Sequence, residues 1–176
     1  MSQIKFIFTG SPGAGKSTAI SAISEFPPVS TDVFATDSLS GVKEKTTVAM
    51  DFGEITLDNG QKVRLYGTPG QKRFRFMWEI LVQGGLGLII LIDNRRSDPV
   101  ADLEVYLDNF ETFINETDAV IGITCTDIKD TPTLDDYYDL LNKRNQMFPI
   151  FTIDAREKED VLLLLNALMT CLEIPS

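Results

Sequence analysis

The stretch GSPGAGKST, Gly10 to Thr18, has the residue types and spacing of a phosphate cradle. Gly10, Gly15, Lys16 and Ser17 fill the fixed positions of the pattern GxxxxGK[ST]. Glycines let successive backbone N–H groups turn inward and approach phosphate oxygens closely. Gly13, Ala14, Gly15 and Thr18 would contribute in this way, and the helix that follows adds its positive dipole end. Lys16 can place its ammonium between a β- and a γ-phosphate, and the Ser17 hydroxyl can ligate Mg²⁺. Other chemistries are excluded by composition. The chain has no histidine, so a Ser-His-Asp triad and a His-ligated zinc are ruled out. Its two cysteines, Cys125 and Cys171, fall short of a four-thiolate zinc site.

A phosphate cradle needs a strand before it and a helix after it. IKFIFT reads as the strand, and GKSTAISAISEF as the helix, stopped by Pro27–Pro28. A polar, breaker-rich loop is expected from there to about Thr46. TVAMDFGEITL and KVRLYG flank DNG, Asp58 to Gly60, a strong hairpin signal. QKRFRFMWEILVQG is helical in pattern, with Phe74, Trp78 and Leu81 on one face. Downstream, LGLIILID, AVIGITC and PIFTID read as strands. DPVADLEVYLDNFETFI, TLDDYYDLLNKRN and KEDVLLLLNALMTCL read as helices, the first with Asp98 as N-cap and Pro99 at its first position. Alternating strands and helices, with near-continuous apolar strands, predict an α/β fold. The 176 residues form one domain on this reading, a three-layer sandwich around a mostly parallel six-stranded sheet with one antiparallel strand. Such sheets bind ligands beyond the carboxyl ends of their strands, where Gly10 lies.

TTVAMDFGEI and LYGTPGQKRFRFMW resemble two strings of the Ras-like small GTPases, P-loop nucleoside triphosphatases. The first is similar to the T-I-G-V-D-F string of Rab-type members, the second to the switch II string D-T-A-G-Q-E-R-F-R. The resemblance covers essentially the whole chain and is strongest to bacterial Ras-like GTPases associated with Roadblock-type partners. It implies a molecular switch that binds GTP or GDP with Mg²⁺ and hydrolyses GTP. Thr47, with Thr46 as the other register, takes the place of the switch I threonine and is a second metal ligand beside Ser17. Gly70 matches the glycine that meets the γ-phosphate, and Gln71 the glutamine that orients attacking water. Gln71 and Lys16 are the implied catalytic pair. Thr124 to Asp127, TCTD, stands at the base-reading motif, and Asp154, Ala155 and Arg156 stand at the loop that closes over the base. The implied partner docks on the switch segments and is of the Roadblock type.

Three departures from the family pattern bear on function. Gly67 stands where most relatives carry an aspartate that supports Mg²⁺, leaving Asp51 or Asp93 as substitutes. Cys125 replaces the lysine whose stem lies against the base. Pro12 replaces a glycine in the phosphate loop, and Arg73 or Arg75 could supply a cation in cis. Two other readings stay open: a GTP-loaded structural module that does not hydrolyse, and a P-loop ATPase or small-molecule kinase. The net charge of −10 argues against a nucleic-acid partner or an anionic membrane surface. No lipidation signal or spanning segment is expected, and the few cysteines fit a reducing, cytoplasmic setting.

Overall fold

The computed structural model describes residues 3–27, 29–36, 45–69 and 75–174. Its strands are β1 Ile4–Gly10, β2 Val29–Thr36, β3 Lys45–Thr56, β4 Lys62–Gly67, β5 Gly87–Asp93, β6 Ala119–Thr124 and β7 Ile150–Thr152. They form one sheet in the order β2-β3-β4-β1-β5-β6-β7. β1, β4, β5, β6 and β7 are parallel, and β3 alone runs against its neighbours. The α/β class and the single antiparallel strand agree with expectation.

The six expected strands are joined by a seventh, β2, in the segment expected to be a loop. The reason lies in its neighbour. β3 pairs with β4 only over Asp51–Thr56, so the backbone before Asp51 needs another partner. β2 supplies it, pairing from Val29 opposite Phe52 to Thr36 opposite Lys45. Its Val, Thr and Phe residues suit a strand, a preference that the prolines before it and the polar residues within it obscured.

The helices are α1 Lys16–Ile23, α2 Arg75–Leu81, α3 Pro99–Asn109, α4 Glu111–Glu116, α5 Leu134–Lys143 and α6 Lys158–Cys171. The single helix expected from Pro99 is broken at Phe110, which is buried and whose N–H turns back to the Tyr106 carbonyl. Asp98 caps α3 as expected, its carboxylate accepting from the Ala101 N–H at 3.1 Å. Thr133 and Asp136 form a capping box on α5.

Alternation along the central strands explains the layers. Phe6 and Phe8 of β1 and Ile89 and Leu91 of β5 pack on one face with Ile20 of α1 and Leu164 and Leu168 of α6. Ile7, Leu88, Ile90 and Ile92 face the other way, toward Leu103 and Leu107 of α3, Tyr137 of α5 and Trp78 of α2. Both faces are covered, so the strands are apolar throughout. Trp78 and Leu81 are buried as expected, Phe76 is exposed, and Phe74 lies outside the described residues. Among the described residues, no helix is long and apolar enough to cross a membrane.

Candidate nucleotide site

The sheet brings the carboxyl ends of β1, β4, β5 and β6 to one edge, and the expected phosphate loop leaves β1 there. Gly10 is required by close approach: a Cβ would sit 2.1 Å from the Leu91 carbonyl oxygen, at a φ of +145°. Gly15 caps α1 at a φ of +101°, where a Cβ would lie 2.9 Å from the Ala155 Cβ. The phosphate loop therefore packs directly on the loop that carries Asp154, Ala155 and Arg156.

Lys16 is buried at the foot of this loop. Its Nζ donates to the carbonyls of Gly10 at 2.6 Å and Ser11 at 2.9 Å. Burial pulls its pKa down to about 8, against the opposing pull of the nearby Asp51 carboxylate. The Ser11 hydroxyl is also buried, with no hydrogen-bond partner among the described residues.

The Ser17 hydroxyl donates to the Asp51 carboxylate. Asp51 lies on β3 directly opposite Gly67 of β4. A Cβ placed on Gly67 would fall 3.4 Å from the Asp51 Cβ and 3.6 Å from its Oδ2. The Asp51 side chain thus fills the space that a Gly67 side chain would enter. Asp93, the other candidate substitute, is committed elsewhere. Its Oδ2 accepts from Arg95 Nη2 at 2.8 Å and its Oδ1 from Arg95 Nε at 3.0 Å. The donors at Ser17 and Asp51 fit Mg²⁺, which takes oxygen ligands and retains others from phosphate and water. Among the described residues, no group of three acidic, cysteine or histidine side chains is placed to hold a metal ion.

On the far side of the phosphate loop lies a cleft of about 560 Å³. It is lined by Gly13, Gly15 and Thr18 of the phosphate loop and α1 together with Cys125, Asp127, Ala155 and Arg156. The Thr124 hydroxyl donates to the Ala14 carbonyl at 3.0 Å, so Thr124 ties the TCTD turn to the phosphate loop. Cys125 has a φ of +62°, which turns the chain sharply at the end of β6 and leaves Asp127 exposed at the cleft. Asn94 holds this turn in place. Its side-chain nitrogen donates to the Lys129 carbonyl at 2.7 Å, and its oxygen accepts from the Tyr137 hydroxyl at 2.6 Å. Hydrogen bonds and charge from Arg156 hold the Asp154 carboxyl down at about 2.

The structure therefore brings together Gly13 to Thr18, Thr124, Asp127 and Asp154 to Arg156. Thr47 lies within β3, its backbone opposite Phe34. Gly70, Gln71 and Arg73 lie outside the described residues. Sequence reasoning left Asp51 undecided against Asp93, and it missed Asn94 and Arg95. A usable signal was present: the spacing Asp-x-Arg recurs at 93–95 and 154–156, each at the end of a strand-like run.

This fold, with a phosphate loop after its first strand and a cleft beside it, is that of a P-loop α/β protein. The chain belongs to the family described as conserved hypothetical ATP binding proteins, whose model matches residues 29–173. That match begins after the phosphate loop. An uncharacterized protein of Methanocaldococcus jannaschii is 29% identical over 123 residues, 66% of this chain and 71% of its own length. The Ras-related protein Rab-18-B of Danio rerio is 26% identical over 123 residues, 68% of this chain and 54% of its own. The GTP-binding protein YPT1 of Saccharomyces cerevisiae is 27% identical, over 72% of this chain and 57% of its own. The chain thus spans little more than half the length of these Ras-related proteins. In fold it is similar to a bacterial selenocysteine-specific elongation factor, with a TM-score of 0.66 and 19% identity, over 98% of this chain and 29% of that one.

Proposed function

We propose that this protein is a guanine-nucleotide switch that binds GTP and GDP with Mg²⁺ and hydrolyses GTP slowly. The observation that carries the reading is that Asp127 lines the same cleft as the phosphate loop. A carboxylate there accepts from the paired N1–H and N2–H₂ donors of guanine, and adenine presents no such pair. The Ala155 N–H would meet the guanine O6. Lys16 and the loop N–H groups would hold the β- and γ-phosphates, exchanging the carbonyls Lys16 now contacts for phosphate oxygens. Ser17 would ligate the metal, and Asp51 would orient its water shell from across the sheet. Bound Mg²⁺, held through Ser17, would neutralise negative charge on the phosphates.

Hydrolysis follows from the resemblance, which gives Gln71 the role of orienting water. Gly70 would meet the γ-phosphate, Thr47 would reach the metal by leaving its pairing with Phe34 in β3, and the change would be read by a protein partner, of the Roadblock type if the resemblance extends so far. A second reading, ATP binding, is favoured by the description of the family and by Cys125 in place of the expected lysine. Exchange of Asp127 for Asn separates the two. Asp127→Asn converts one acceptor oxygen into a donor, so GTP affinity should fall at least tenfold and xanthosine triphosphate should gain. Equilibrium competition with fluorescent nucleotides measures both. Unchanged GTP affinity would remove the guanine reading.

A further inference from the structure

Two Asp-x-Arg turns of matching geometry flank the TCTD turn. Strand order places Asp93 and Arg95, after β5, on one side of the end of β6, and Asp154 and Arg156, after β7, on the other. In each, the arginine N–H donates to the aspartate Oδ1, at 2.9 Å in both. Nε donates to the same oxygen, at 3.0 and 2.9 Å. Nη2 donates to Oδ2, at 2.8 and 2.6 Å. Both guanidinium planes are fixed by their own carboxylates, and both arginines line the cleft with Cys125 and Asp127. Asp127 lies within electrostatic reach of both.

We propose that Arg95 is a base-stacking residue, so that the purine of a bound nucleotide lies between the guanidinium planes of Arg95 and Arg156. The inference rests on the nucleotide-binding reading above. Cys125 is too short to cover a base in the way a lysine stem could, and a planar guanidinium already present at the cleft can take that place. Arginine suits the task because its weakly hydrated plane stacks on aromatic faces, whereas an ammonium acts as a point charge. Asp93 is 5% exposed, so its carboxylate is a firm anchor for the Arg95 fork. The carboxylate is buried and the guanidinium half-exposed, so the pair fixes the orientation of a plane that a ligand can reach.

Titration of wild type, Arg95→Ala, Arg95→Lys and Arg95→Ala/Arg156→Ala with GDP, inosine diphosphate and pyrophosphate tests this. Arg95→Ala should weaken GDP and inosine diphosphate by the same factor, about tenfold, because stacking ignores the N2 amino group. Pyrophosphate should bind all variants within twofold of wild type. Arg95→Lys keeps a cation beside Asp93 and guards against misfolding, yet it should recover less than half of the loss. The double variant should lose more than either single change. If wild type binds GDP and both Arg95 variants match it, the stacking role is wrong while the nucleotide reading survives. If wild type binds pyrophosphate but no purine nucleotide, both fall.

Discussion

Lys16→Ala is expected to lower nucleotide affinity at least a hundredfold while leaving the fold intact. Lys16 is buried at the foot of the phosphate loop, and two of its three N–H donors face loop carbonyls that a phosphate would replace. Hydrogen bonds to a charged group contribute about 1.5–3 kcal/mol each, and a hundredfold loss corresponds to about 2.7 kcal/mol. Folding should not suffer, because the buried ammonium is a cost to the folded state that alanine removes. The same group gives a pH signature. Burial sets its pKa at about 8 in the free protein, and a bound phosphate favours the charged form. Affinity should therefore hold below pH 8 and fall as pH rises through it, with binding taking up a proton above pH 8. Calorimetry in buffers of different ionisation enthalpy reads the proton uptake directly. Lys16→Arg, whose charge persists, should flatten the pH profile even where it weakens binding.

Asp51→Ala should lower the Mg²⁺ affinity of the nucleotide complex tenfold to a hundredfold, the usual cost of removing a partner that orients a metal ligand. Nucleotide affinity in the absence of metal should change little, because Asp51 reaches Ser17 and not the base-side cleft. Mn²⁺ titration followed by electron paramagnetic resonance measures the metal term without reference to turnover. The cross-strand register makes a rescue possible. Gly67 faces Asp51 on the neighbouring strand, so Gly67→Asp in the Asp51→Ala background should restore much of the lost affinity. The new Cβ would lie 3.2 Å from Ile20 Cδ1, a contact that the end of a flexible side chain can relieve. A double variant no better than Asp51→Ala, or an Asp51→Ala protein with wild-type metal affinity, would show that the carboxylate is structural.

These two residues also mark what was legible in the sequence. The phosphate loop was readable because its chemistry is contiguous: strand, glycines, lysine and hydroxyl follow within a dozen residues, and local geometry dictates each type. Central strands and the Asp98 cap of α3 were readable for the same reason. Which of Asp51 and Asp93 meets Ser17 was not, because it depends on Asp51 pairing with Gly67 across a hairpin and on Asp93 being held by Arg95. Arg95 itself was hidden because a two-residue spacing acquires meaning only once β5, β6 and β7 are known to be neighbours. The seventh strand was hidden by Pro27–Pro28: the helix expected to run up to them ends earlier, at Ile23, and they do not prevent a strand from starting at Val29. In each case a non-local pairing decided what the local pattern left open.

The most direct measurement is equilibrium competition between Mg²⁺–GDP and Mg²⁺–ADP for nucleotide-free wild-type protein. On the proposed reading, Asp127 and the Ala155 N–H would pair with the edge of guanine and would be left unpaired against adenine, a mismatch of the kind that strongly rejects the wrong ligand. GDP should displace ADP with an affinity at least a hundredfold higher, and the preference should collapse in Asp127→Asn. ADP binding as tightly as GDP, or more tightly, would contradict the guanine-switch reading and leave an adenine-nucleotide protein built on the same phosphate loop.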